Sequence, residues 1–187
     1  MRVGLALLLA VPAAWANPSG GVVTSGSATI GSSGSTLTVN QTTDRAIINW
    51  NDFSIASGET TRFVQPSATS AALNRVTSAN PSSILGTLSA NGQIYLINPN
   101  GITVGADGVI NTQSFIASTL GLTDSQFLAG GDMTFSGPSQ AGVVNAGEIT
   151  ALGGDVLLVG RTVRNTGTLT SENGTTGPQT YNGPVNP

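Results

Sequence analysis

The sequence predicts an all-β fold, a parallel β-helix, from three observations. Short apolar runs rich in β-branched residues, at Ala46–Ile48, Ile94–Ile97, Ile102–Val104 and Val156–Val159, are broken by Gly, Asn, Asp and Pro, as strands are by tight corners. No long segment carries the 3.6-residue period of an amphipathic helix. Strings also recur at a spacing of about twenty residues, the mark of a solenoid. VVNAGEIT at Val143–Thr150 resembles VRNTGTLT at Val163–Thr170, and VINTQSFI at Val109–Ile116 reads as a looser third copy. GGDMTF at Gly130–Phe135 likewise resembles GGDVLL at Gly153–Leu158.

Composition agrees with stacked coils. Charged residues are 8% of the 187, against roughly 25% in an average domain. In a solenoid like residues fall into register, and like charges at strand spacing repel. Ser, Thr and Asn, which make up about a third of this chain, carry no such penalty. The chain has no Cys and no His, which excludes disulfides and thiolate or imidazole metal sites. A serine nucleophile would lack its usual base. The formal charge of −3 argues against nucleic acid as a partner.

From the N-terminus, Arg2, the apolar run Val3–Val11 and the small residues Ala14 and Ala16 form a secretory signal peptide over residues 1–16, cleaved before Asn17. The apolar run is about half what a bilayer-spanning helix needs, so no stable membrane insertion is expected. Residues 17–170 form the β-helix domain. Within it Trp50, Phe53 and Phe63 are expected in the core or cap, and Arg75 is expected either to pair with Glu59 or to lie on a solvated coil face. Asp124–Ala129 is the one helical candidate, with Thr123 as N-cap and Gly130 as stop. Asn111, Asn145 and Asn165, at matching places in the repeats, are expected to stack as a hydrogen-bonded ladder. Residues 171–187, rich in Gly and Pro, read as a disordered tail or a truncated continuation.

The strongest local signal is Asn98-Pro99-Asn100-Gly101-Ile102. Pro99 fixes its own φ and holds Asn98 extended. Asn100-Gly101 is a turn pair in which both residues tolerate positive φ, and Ile97 and Ile102 anchor it on either side. The string reads as a corner between two strands.

Together with Ile47–Ile55, Leu73–Thr77 and the run from Gly92 to Thr119, this string resembles the N-terminal secretion domain of two-partner-secretion exoproteins. These are the filamentous-haemagglutinin-like and high-molecular-weight-adhesin-like proteins, whose domain is also called the haemagglutination activity domain. The resemblance covers roughly Val22–Thr170. It implies a right-handed, single-stranded, pectin-lyase-like parallel β-helix with an N-terminal cap. It also implies a module that crosses the periplasm unfolded and is recognised through Asn98–Ile102. The partner would be an outer-membrane β-barrel transporter with periplasmic polypeptide-transport-associated domains. The domain would then nucleate β-helix folding at the surface of a Gram-negative cell, where adhesion to a host or neighbouring cell receptor follows. No cofactor, metal or catalytic residue is implied. The family's second motif, NPNL, is absent; Asn80-Pro81-Ser82-Ser83 is the nearest string.

Two other classes fit a β-helix. A polysaccharide hydrolase or lyase would need convergent carboxylates; Asp132 and Asp155 are the candidates, but both follow Gly-Gly and have no Lys or His beside them. An ice- or surface-binding solenoid would need a regular Thr array, and Thr-Leu-Thr occurs only at Thr36–Thr38 and Thr168–Thr170.

Overall fold

The computed structural model describes residues 17–172 and the backbone of 176–180. The signal peptide, with Ala14 and Ala16, lies outside the described residues. In chain order the strands are β1 (Val22–Ser25), β2 (Ala28–Ser33), β3 (Thr36–Gln41), β4 (Arg45–Trp50), β5 (Thr60–Val64) and β6 (Ala71–Val76). Next come β7 (Ser82–Ile84), β8 (Thr87–Ala90), β9 (Gln93–Ile97), β10 (Ile102–Val104), β11 (Val109–Thr112) and β12 (Ser114–Ser118). After helix α1 (Asp124–Ala129) follow β13 (Gly142–Asn145), β14 (Glu148–Ala151), β15 (Val156–Gly160), β16 (Thr162–Asn165), β17 (Thr168–Ser171) and β18 (Thr176–Thr180).

These strands form three sheets that wrap one core, ordered β1-β4-β6-β9-β12-β15-β18, β16-β13-β10-β7 and β17-β14-β11-β8-β5-β3-β2. Pairing is parallel from one coil to the next, as in Ile102↔Val143 and Val143↔Val163. Among the named strands, antiparallel pairing is confined to the N-terminal end, where β1 lies on β4 and β2 on β3. These two strands cap the first coil, whose edge would otherwise present unpaired donors and acceptors. The fold is thus the capped, right-handed parallel β-helix that the sequence predicts.

Inward residues of all three sheets build a single interior cluster, with Trp50, Phe53 and Phe63 at the cap end and Ile84, Leu88, Ile110, Phe115, Ile149 and Leu158 above. Trp50 meets Phe53 edge to face at 5.6 Å, and its indole N–H donates to Asn74 Oδ1 at 3.0 Å. A second apolar layer lies outside the first sheet. There Ile47, Leu73, Tyr95 and Ile116 point outward and are covered by Leu122 and Phe127 from the excursion between β12 and β13. Helix α1 in this excursion has the bounds and caps read from the sequence: Thr123 Oγ1 accepts from Gln126 N, and Gly130 closes it at φ 64.

Register explains which sequence likenesses are structural. Val143–Asn145 pairs with Val163–Asn165 and Ile149 with Leu169, so those two copies stack residue on residue. The third copy does not join them, because Val109 lies beneath Glu148 and Asn111 sits between Ser89 and Thr150 in a different sheet. The Gly-Gly-Asp likeness is also not a repeat. Gly153–Leu158 leads into β15, whereas Gly130 and Gly131, both at positive φ, leave α1 within the excursion. The solenoid also runs past Thr170: β17 ends at Ser171, and β18, inside the segment read as a disordered tail or a truncated continuation, pairs in parallel with β15.

One corner recurs in four coils. Gly86, Gly108, Gly147 and Gly167 each precede the strand of the third sheet and lie over one another. A Cβ on any of them would overlap backbone carbonyl oxygen of the coil beneath: that of Ala56, Ile84, Gly105 or Gly147 respectively. Gly147→Ala should therefore cost about 2–3 kcal/mol, a fall of several degrees in Tm on thermal melting. Gly31→Ala, where a Cβ meets nothing within 4 Å, should change stability by less than about 0.5 kcal/mol.

Burial lifts the Tyr95 phenol above its ordinary 10.0, against the opposing charge of Arg45 and with the help of Asp155. The folded state holds this proton more tightly than the unfolded chain. Its contribution is complete below about pH 10 and is lost as pH rises above that value. Tyr95→Phe should flatten the alkaline fall in stability measured by denaturant titration between about pH 9 and pH 11.

Candidate functional site: the Asn98–Ile102 corner

The corner joins β9 to β10 and is a hydrogen-bonded β-turn, with Gly101 N donating to Asn98 O at 3.2 Å. Pro99 occupies the second position, where its fixed φ is preformed for the turn. Asn100 keeps negative φ, since no non-glycine among the described residues has positive φ; Gly101 alone takes it, at 118°. Of the two residues that tolerate positive φ, the turn uses only the glycine. A Cβ on Gly101 would find room, 3.7 Å from Gly142 O, so the need for glycine there is purely one of backbone conformation.

Asn98 is completely buried, and its amide is fully used. Nδ2 donates to Asn80 O at 3.0 Å and to Ser82 Oγ at 2.9 Å. Oδ1 accepts from Asn100 N at 2.9 Å and from Asn100 Nδ2 at 3.2 Å, the Asx-turn that favours Asn at the first turn position. Asn100 Nδ2 also donates to Ser78 O at 2.8 Å. The backbone extends the same ties to neighbouring coils: Asn98 N donates to Ser118 O and Ser82 N to Gly101 O, both at 2.9 Å. From the excursion, Ser139 Oγ donates to Pro99 O at 2.7 Å. On either side Ile97 packs into the outer apolar layer and Ile102 into the interior core. Three coils and the excursion therefore converge on five residues.

Sequence reasoning did not find Ser78, Asn80, Ser82 or Ser139. Asn80-Pro81 is a turn-forming pair, so a loop there was legible; its meeting with Asn98 depends on coil register. Ser139 lies 40 residues from Pro99 and carries no local signal.

Asn145 Nδ2 donates to Asn165 Oδ1 at 2.8 Å, and Gly147 N donates to Asn145 Oδ1 at 3.1 Å, so Asn145 holds a second corner much as Asn98 holds the first. Asn111 takes no part in this ladder; it is exposed on β11. Asn17 is tied into the cap, donating to Ser35 O and accepting from Thr61 Oγ1, each at 2.9 Å.

Arg75 pairs with Asp124 at 2.7 Å and donates to Leu122 O at 2.9 Å, not with Glu59 as expected. Arg75 points out of β6 toward the excursion, whereas Glu59 is buried at the corner before β5. The side chains of this pair are 25% and 55% exposed, so it positions α1 more than it stabilises the fold. Asp132 and Asp155 line one cavity of about 380 Å³ between the outer face of the first sheet and residues 131–135. Among the described residues, no group of three or more His, Cys, Asp or Glu could hold a metal ion.

Comparison with known proteins agrees with this geometry. Residues 14–184 match the family model described as TPS secretion domain. Two curated heme/hemopexin-binding proteins of Haemophilus influenzae are each 40% identical to the chain, over 102 and 83 residues, or 54% and 44% of its length. These matches span only 11% and 9% of the relatives themselves. The crystal structure of the HMW1 secretion domain from Haemophilus influenzae superposes with a TM-score of 0.76 at 39% identity, covering 83% of this chain and 42% of that one. The family implies secretion as an exoprotein with an outer-membrane transporter as partner. With a capped parallel β-helix and a family match over nearly its whole length, the chain belongs to the TPS secretion domains of two-partner-secretion exoproteins.

Proposed function

We propose that Asn98–Ile102 serves this secretion module twice, in two states of the chain. In the periplasm the chain is extended, and the segment is read by the polypeptide-transport-associated domains of the outer-membrane transporter. After emergence the same residues close the corner that fixes coil register, and the domain seeds folding of whatever β-helix follows. The observation that carries this reading is the complete burial of Asn98 with all its amide bonds satisfied inside the fold. A folded corner offers no Asn98 side chain to a transporter, so recognition through that group requires the unfolded chain. Adhesion to a host or neighbouring cell surface belongs, in this reading, to the whole exoprotein rather than to the corner.

The structural role has a direct consequence. Asn98→Ala leaves Asn80 O, Ser82 Oγ and Asn100 N without their partner, and each such loss costs about 1–3 kcal/mol. Denaturant unfolding should show a loss of about 3 kcal/mol or more, a large share of a typical 5–15 kcal/mol stability.

The two roles separate in a paired experiment on Asn100→Ala and Gly101→Val, measuring secretion by cells that make the cognate transporter and binding of the unfolded chain to its isolated periplasmic domains. Gly101→Val forces a β-branched residue to positive φ, a strain of about 1–3 kcal/mol. It should lower secretion and melting temperature while leaving binding intact. Asn100→Ala should weaken binding as well. Normal secretion of both variants would contradict the proposal.

A further inference from the structure

Asp132 and Asp155, the acids of the similar strings Gly130–Phe135 and Gly153–Leu158, lie outside the corner to which secretion is assigned above. Both line the cavity between the first sheet and the excursion. Its floor is apolar: Tyr95, Ile116 and Leu157 lie in one outward row of stacked residues. Met133 and Phe135, half-buried, form the wall, and the two carboxylates stand at the rim, Asp132 exposed and Asp155 half-buried. None of the lining residues is basic, and the chain has no Lys or His.

The same outer face already holds a cation at its other end. Arg45, Ala71, Gln93 and Ser114 form one outward row. Asp155 takes the next position above Ser114, whose hydroxyl donates to Asp155 O at 2.9 Å. At the near end of this row the Arg45 guanidinium lies 5.2 Å from the centre of the Phe127 ring and donates to Phe127 O at 2.8 Å. There the excursion, an aromatic ring and a basic side chain close over the sheet together. At the far end the excursion again supplies an aromatic ring, Phe135, but the row supplies an acid where it earlier supplied an arginine.

We infer that this cavity is a docking site for a basic side chain, arginine or lysine, of a separate polypeptide. The aliphatic stem lies on Ile116 and Leu157 beside Met133, and the charged head lies between Asp132 and Asp155 with Phe135 at its flank. Long basic side chains bury their stems on apolar surface while the head stays at a polar rim, and an aromatic face adds cation–π attraction. A metal ion is a poorer fit, since two carboxylates without a third ligand do not build a site. The site exists only in the folded domain, so its occupant meets the protein after secretion. It is independent of the role proposed for the Asn98 corner.

The test is an amide ¹⁵N–¹H titration of the folded chain with Nα-acetyl-arginine amide and Nα-acetyl-lysine amide. Nα-acetyl-citrulline amide, which keeps the shape and lacks the charge, and free galactose serve as comparison probes. The arginine and lysine probes should shift resonances at Gln93, Ser114–Ile116, Gly131–Phe135 and Gly154–Leu157. Citrulline amide should bind about two- to fivefold more weakly, the factor expected for one screened charge pair. Asp132→Asn and Asp155→Asn should each weaken arginine binding by about the same factor without lowering Tm by more than a few degrees. Raising salt from about 50 to about 500 mM should weaken it further. The proposal is overturned if the arginine probe gives no shifts, if citrulline binds equally well, or if both Asn variants bind like the parent. Galactose shifting these resonances in preference to arginine would show a sugar pocket and overturn it equally.

Discussion

Everything in this protein depends on one constraint: each coil must lie on the coil beneath it at strand spacing, in register, along three faces at once. Parallel pairing supplies the backbone bonds, and it also dictates what side chains the chain can afford. Where the chain turns into the third sheet, Gly86, Gly108, Gly147 and Gly167 pass so close to carbonyl oxygens of the coil below that no Cβ fits. The outward rows of the third sheet contain mostly Thr, Ser and Asn, with few charges, because a charge in one coil would face its like in the next. The low charge content and the recurring glycines are thus two results of the same stacking.

Stacking needs a first layer and fixed corners. The cap supplies the first layer through the only antiparallel pairs among the named strands, β1 on β4 and β2 on β3. The corners are fixed by buried asparagines. Asn98 and Asn145 each accept from the backbone amide two residues on and donate to the neighbouring coil or its loop. A side-chain amide can do both jobs because it carries donor and acceptor on one planar group. The Asn98–Ile102 corner is thus a point of mechanical closure, where one buried amide ties its own turn to the coil beside it.

The sequence made legible what depends on neighbours in the chain. Helix α1 could be read to the residue because Thr123 and Gly130 act within one turn. The copies at Val143 and Val163 could be aligned because no insertion separates them. What failed depends on register across long separations. Strand β10, not β11, pairs with β13, so Val109 lies beneath Glu148 rather than beside Val143, which removes Asn111 from the asparagine ladder. The excursion between β12 and β13 brings Asp124 to Arg75, 49 residues apart, and no local pattern announces that meeting. Of the corner itself, the turn was legible in Pro99 and Gly101; its partners Ser78, Asn80, Ser82 and Ser139 were not.

The central claim, that the Asn98 corner locks the register of stacked coils, is most directly tested by native-state hydrogen exchange of Asn98→Ser measured strand by strand. Strand β10 leaves the corner and pairs with β7 on one side and β13 on the other. If the corner is a lock, protection should fall together in β7, β10 and β13, while β4, β6 and β9, anchored by the cap, retain theirs. A loss confined to residues 98–101 would show a local turn with no hold on the coils around it, and would contradict the claim.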